Sequence, residues 1–308
     1  SAVNPYMASA LSVIIVFCSL AVLAFQKLVI DKRNYQMSSL RPPKEEVLTG
    51  WKRFAVSLPI WIVTFLAFLP QIVVVCQSFV ERSFSGMVKG INFKNYEFIS
   101  AKLATNIRNT YVFSLVAIVF IVFVGILVSY VLVRKKGKVA TLIDTLIMFP
   151  YVIPGSVLGI GLIIAFNRKP MVLVGTSAIM IISYVIRKLP YTVRSGTAFL
   201  YQMDPFVEEA SINLGVSPLK TFFTVTARMM LPGVMSGAVL SWITCINELS
   251  SSIMLYSGKT STIAIAIYQE VTHMNDGPAS ALATILTVTT IISLLVVFRA
   301  TKGKVKIV

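Results

Sequence analysis

The chain reads as an all-α, polytopic transmembrane protein with about seven spans. Three observations predict this. Hydrophobic residues fill 56% of the 308 positions and charged residues only 13%, a balance unlike that of soluble domains. Several apolar runs exceed the roughly 20 residues that cross a hydrocarbon core. The polar residues gather between those runs.

The spans are expected near residues 7–27, 54–79, 107–133, 139–166, 171–190, 230–256 and 278–298. If the first runs from outside to inside, most of the 28 Lys and Arg residues share one side. Among them are Lys32, Arg33, Arg41 and Lys44, the cluster Arg134-Lys135-Lys136-Gly137-Lys138, then Arg187, Lys188, Arg194, Lys220 and Arg228, and the tail from Arg299. The positive-inside rule makes that side cytoplasmic. The net charge of +16 is thus an orientation signal and gives no reason to expect a nucleic-acid partner; the partner that composition implies is the lipid bilayer.

Residues 1–30 hold the first span and 31–53 a basic linker with Arg41-Pro42-Pro43, a composition that connects without forming a core. Residues 54–308 form the main membrane domain. Ala8-Ser9-Ala10-Leu11 opens the first span and Ala279-Ser280-Ala281-Leu282 the last, each after a proline-containing turn. This repeat suggests that the first span is the last helix of a preceding, homologous membrane domain. The longest external loop, residues 80–106, carries Phe84, Phe93, Tyr96 and Phe98; it is either an interfacial loop with aromatic anchors or part of a face for an external partner.

Chemistry-bearing residues are sparse. His273 is the only histidine, and Cys18, Cys76 and Cys245 lie in apolar runs as buried thiols, so no metal site, disulfide or Ser-His catalysis is predicted and no cofactor is implied. Ser257-Gly258-Lys259-Thr260 is not a phosphate loop, because Ile253 stands where the motif needs its first Gly. Pro150, Pro154, Gly155, Gly159 and Gly161 punctuate the fourth span. A broken helix in lipid needs protein or a cavity to satisfy its backbone, so these residues line a path or form a small-residue packing face. Asn247-Glu248 falls between Trp242 and Met254 in the sixth run. A carboxylate there costs roughly 2.5–3.5 kcal/mol on insertion scales and must face protein or water; it is a path residue or a hydrogen-bonded structural acid. Asp144 sits at the inner end of its span.

Residues 204–232 are a long polar passage reading as two short helices with a bend. Asp204 caps the first helix with Pro205 at its first position, and Glu208 and Glu209 occupy the first turns, where the dipole favours negative charge. Gly215 closes that helix in the left-handed conformation. Ser217-Pro218 starts the second.

Here the chain resembles the inner-membrane permeases of binding-protein-dependent ABC importers. Their cytoplasmic loop has Glu-Ala-Ala, three residues, Gly, then a hydrophobic position and Leu-Pro. Glu209-Ala210-Ser211, Gly215 and Val225 stand in register. Ser211 replaces the second Ala, and Ala227-Arg228 replaces Leu-Pro, so the second helix is expected to enter the membrane differently, by way of Pro232. The resemblance covers about residues 54–298, including Arg187-Lys188-Leu189-Pro190-Tyr191, Arg194 and Asn247-Glu248-Leu249, and is greatest to the ferric-iron importer permeases. It implies a type I permease domain of six helices and a coupling helix set into a cytoplasmic ABC ATPase dimer. Asp204, Glu208, Glu209, Ala210, Gly215, Phe222 and Phe223 are then the docking residues, and Pro150, Pro154, Gly155, Asn247 and Glu248 the translocation path. It also implies an external solute-binding protein, a second permease half fused upstream, and ATP hydrolysis on the partner, so that this chain is not itself an enzyme. Iron(III) is the first solute; thiamine, polyamine, phosphonate and sulfate fit the wider family. Two other classes compete on residues alone: an intramembrane enzyme with Asp144 and Glu248 as an acid pair, and an ion-driven secondary transporter.

Overall fold

A computed structural model describes residues 49–82, 88–135 and 137–300, together with Ile14, Phe17 and Cys18. The repeat at Ala8–Leu11, most of the first span, the linker before Thr49 and Phe84 lie outside the described residues.

In chain order the elements are α1 (Gly50–Ser78), a hairpin of β1 (Val80–Arg82) and β2 (Val88–Ile91), α2 (Lys94–Lys102), α3 (Ala104–Arg134), α4 (Lys138–Val152) and α5 (Gly155–Phe166). A two-residue hairpin, β3 (Asn167–Arg168) with β4 (Met171–Val172), leads into α6 (Ser177–Tyr201). Then come α7 (Phe206–Asn213), α8 (Pro218–Thr221), a π turn (Phe222–Thr226), α9 (Ala227–Ile246), α10 (Ser252–Leu255), α11 (Ile263–Thr272) and α12 (Asp276–Ala300).

The all-α prediction holds, but the spans divide differently. Among the described residues, four helices are long and apolar enough to cross a membrane: Gly50–Ser78, Ala104–Arg134, Pro218–Ile246 and Asp276–Val296. The pair α4 and α5 counts as a fifth only if taken as one span, and it bends by 111° at the break. The bend falls at Ile153-Pro154, just after Pro150, as the punctuation of that run predicts. The expected span at 171–190 corresponds to α6, an inner helix that carries Arg187, Lys188 and Arg194. α3 and α9 pack on either side of it. Lys188 is buried there, while Arg187 and Arg194, on the remaining face, pair with Glu248 and Asp144, so that each charge meets protein in place of lipid.

Small residues make that packing close. The buried positions of α3 are Asn106, Thr110, Phe113, Ser114, Ala117, Ile121, Gly125, Ser129 and Val133, a stripe at three- and four-residue spacing. A Cβ on Gly125 would stand 2.8 Å from Thr192 Cγ2, and one on Gly237 of α9 would stand 2.6 Å from Thr192 Cα. Hydroxyls then staple the three helices: Ser129 Oγ donates to Val193 O (3.1 Å), Ser195 Oγ to Gly233 O (2.7 Å) and Ser241 Oγ to Lys188 O (2.8 Å). Such bonds contribute roughly 0.6 kcal/mol each in membrane proteins. Phe113, Ile121, Ile179, Met180, Tyr184, Cys245 and Leu255 fill the core between these elements. Of the three thiols, only Cys245 is buried; Cys18 and Cys76 are exposed on this chain.

At the end of α3 that begins with Ala104, Asn106 Nδ2 donates to Ser261 Oγ and Asn109 Nδ2 to Lys259 O and Ser261 O (2.8, 2.9 and 2.9 Å). The Ser257–Thr260 stretch, excluded above as a phosphate loop, is therefore a turn clasped by α3. The loop from Val80 packs its aromatics on themselves: Phe79 meets Phe93 and Tyr96 at 5.4 and 5.3 Å. Phe93 is still largely exposed.

Candidate functional site

Two arrangements concentrate the predicted residues. The first is the polar loop that starts at Asp204. Asp204 Oδ1 accepts the Phe206 N–H at 3.0 Å, with Pro205 already helical, so Asp204 caps α7 as its sequence predicts. The helix closes in a Schellman motif: Gly215 N–H donates to Ile212 O (2.9 Å) and Val216 N–H to Ser211 O (3.2 Å), with Gly215 at φ +88°. Ser211 is more than a small replacement, because its Oγ bonds Thr221 Oγ1 at 2.9 Å and ties α7 to α8.

The loop presents Glu209, Ala210 and Gly215 to solvent, beside a patch of large apolar side chains, Phe206, Leu214, Leu219 and Phe223. Two residues expected on that surface turn inward instead. Glu208 pairs with Arg134 at the end of α3, Nη2 to Oε1 at 3.0 Å, with both side chains mostly buried. Phe222 is 7% exposed and packs edge-on against Tyr130 at 4.7 Å. They hold the loop on its own chain. Adjacent helical residues are turned by roughly 100°, so Phe222 faces inward while Phe223, still edge-on to it at 4.9 Å, reaches the surface.

The expected re-entry at Pro232 is also corrected. Pro218 to Ile246 runs as one helix, with the π turn at Phe222–Thr226 and Pro232 inside it. With Ala227-Arg228 in place of Leu-Pro, no proline interrupts the backbone bonds at the junction, and the loop's second helix is the first part of the span.

The second arrangement is a buried charge cluster. α9 ends at Ile246, so Asn247 and Glu248 lie in a turn and not within a continuous span. Asn247 is exposed and its side chain folds back to Ile243 O (2.7 Å). Glu248 is buried. Its Oε1 accepts from Arg187 Nη1 (2.6 Å), Ser250 Oγ (2.8 Å), Ser251 N–H (3.1 Å) and Ser251 Oγ (3.2 Å), while Oε2 pairs with Lys188 Nζ. These partners supply what a carboxylate beside a helix C-terminus needs, since the helix dipole there opposes negative charge.

Gly155, the first residue of α5, borders this cluster. A Cβ there would overlap Arg187 Nη1 and Ser250 Oγ. The break in α4–α5 thus meets the break after α9, and Gly155 and Glu248 come together through Arg187 and Ser250. Pro150 and Pro154 are half-buried, whereas Asn247 is exposed. Asp144 is held elsewhere, by Arg194 Nη2 at 3.0 Å, so the two acids have different partners and do not form the acid pair considered above.

The cations were the missing half of this reading. Arg134, Arg187, Lys188 and Arg194 each partner an acid that the sequence singles out. The available signal was charge matching, since an acid in an apolar run needs a base within reach.

A helical domain with a broken span and a Schellman-closed polar loop is the arrangement that the resemblance to ABC importer permeases implies. Residues 121–303 match the family described as the binding-protein-dependent transport system inner membrane component, and the chain belongs to that family. A protein from Haemophilus influenzae assigned as a ferric transport system permease is 29% identical over 82% of this chain and 41% of its own length. The ferric transport system permease protein of Actinobacillus pleuropneumoniae is 33% identical over 58% of this chain and 26% of its own. The chain therefore spans less than half the length of these ferric relatives. A bacterial ABC transporter involved in the import of alginate shares the fold, with TM-score 0.66 at 16% identity over 83% of this chain and 96% of its matched chain.

Proposed function

We propose that this chain is the membrane-spanning subunit of an ABC importer, with residues 204–223 docking on a cytoplasmic ATPase dimer that performs the hydrolysis. The observation that carries the reading is the exposed patch of Phe206, Leu214, Leu219 and Phe223 beside Glu209, on a loop that Asp204, Gly215 and Ser211 hold rigid. Apolar anchors rimmed by charge suit a specific protein interface. The distribution of Lys and Arg supports placing this loop in the cytoplasm. A second permease half completes the path, and an external binding protein delivers the solute.

Iron(III) is the solute favoured by the two ferric relatives. A second reading, an oxyanion, is favoured by the molybdate/tungstate permease of Pyrococcus furiosus, 30% identical over 53% of this chain and 65% of its own length. The test is reconstitution with the ATPase and binding protein in proteoliposomes. Solute-loaded binding protein should stimulate ATP hydrolysis, and Gly215→Asp should abolish the stimulation while the chain still inserts. Normal uptake by that variant would refute docking through this loop. Labelled iron and labelled molybdate, offered in parallel, separate the two solutes.

A further inference from the structure

Arg187, Tyr191, Arg194, Ala198 and Tyr201 recur on α6 at intervals of three and four residues and so share one face. It is the face that α3 and α9 leave uncovered: Arg194 and Ala198 are exposed and Tyr201 is 70% exposed. Two guanidiniums about 10 Å apart along a helix cannot face lipid, so such a face meets water or protein.

Two cavities follow this face. One, of about 350 Å3, is lined by Met148, Tyr151, Tyr191, Arg194 and Leu240 among others. The next, of about 320 Å3, is lined by Ala140, Asp144, Arg194, Thr197 and Tyr201 among others. Arg194 borders both. Above them lies the Glu248 cluster, with two cations to one carboxylate. There the carboxylate is withdrawn, at 4% side-chain exposure, while Arg187 keeps 15%. The same order holds below, where Arg194 is 52% exposed and Asp144 37%. Arg187 Nε and Nη2 donate to no described residue. The N-terminus of α5 at Gly155 adds positive partial charge beside Arg187.

We infer that this face of α6 is a cationic stretch of the translocation route, with Arg187 and Arg194 as successive contacts for a solute carrying net negative charge. The solute is an oxyanion or a metal ion held in an anionic complex. The inference rests on the permease reading, and it adds the sign of the cargo and two residues that touch it.

Charge-selective thiol labelling tests it without an ATPase or binding protein, so its failure is separate from failure of stimulated uptake. Cys18, Cys76 and Cys245 are first replaced by Ser, and Tyr191→Cys or Ala198→Cys is introduced into the full chain in proteoliposomes. An anionic methanethiosulfonate should react about tenfold faster than a cationic one, each rate normalised to a free thiol, because a cationic cleft concentrates anions. Arg194→Gln should reduce that ratio and Asp144→Asn should raise it, so a folding defect in one variant leaves the other informative. Excess molybdate or excess ferric citrate should slow the labelling, and the one that does so distinguishes an oxyanion from a complexed metal. Absence of labelling from water, equal rates for the two reagents, or protection by neither solute would overturn the inference.

Discussion

Arg134 and Glu208, 74 residues apart in sequence, meet through both Nε and Nη2 of the guanidinium at 3.0 Å to a single carboxylate oxygen. The pair fastens the first turn of α7 to the end of α3. It makes the exposed loop part of the helical body, so a push on the loop reaches α3 directly.

Glu208→Gln and Arg134→Gln should each uncouple the loop without preventing insertion. A double-mutant cycle read by thermal unfolding in detergent should give a coupling of about 1.5–3 kcal/mol, the range for hydrogen bonds to charged groups. The charge swap Arg134→Glu with Glu208→Arg should recover part of the loss. Additive single effects would mean that the contact contributes little.

Ser211→Ala removes the bond to Thr221 and should cost about 1 kcal/mol. The cost should appear as faster amide hydrogen exchange across residues 206–221, with exchange in α3 and α6 unchanged.

Gly215→Ala meets no steric obstacle, because a Cβ at this position has nothing within 4 Å. Its whole cost is the left-handed backbone at φ +88°, about 1–2 kcal/mol. Gly215→Asn should cost less, since Asn also closes helices in this conformation. Hydrogen exchange of the Val216 amide measures both, and equal protection in all three forms would remove the Schellman closure from the account.

Glu248→Gln leaves the buried Lys188 and the partly buried Arg187 without their carboxylate and should destabilise by about 3–5 kcal/mol. Adding Lys188→Met should restore much of the melting temperature, because one cation then has less to offset. A melting temperature unchanged in Glu248→Gln would show that the cluster is already hydrated.

Gly155 and Gly161 form an internal control on α5. Gly155→Ala should displace Arg187 and Ser250, whereas Gly161→Ala, with nothing within 4 Å, should be neutral or slightly stabilising through helix propensity. The difference in melting temperature between the two variants measures the close approach.

The loop was the part of the site most legible in the sequence. Asp204, Pro205, Gly215, Ser217 and Pro218 act through their own backbone neighbours, so a cap, a left-handed closure and a helix start can be read from residue type and spacing. The inward turn of Glu208 and Phe222 was not legible, for the opposite reason. Their orientation depends on Arg134 and Tyr130, which arrive from a helix far away in the chain.

What the sequence alone determined is the membrane-spanning α class, the broken fourth run, the bend at Gly215 and the kinship carried by Glu209-Ala210-Ser211. All follow from local backbone preference or from the cost of exposing apolar surface, which are properties of short stretches. The tertiary structure alone decided that α6 is an inner helix despite its charges, that α8 continues into α9, and that Arg187 and Lys188 neutralise Glu248 where two helix breaks meet. Those outcomes depend on which distant groups share a low-dielectric interior, and a buried charge takes the partner that packing brings within reach.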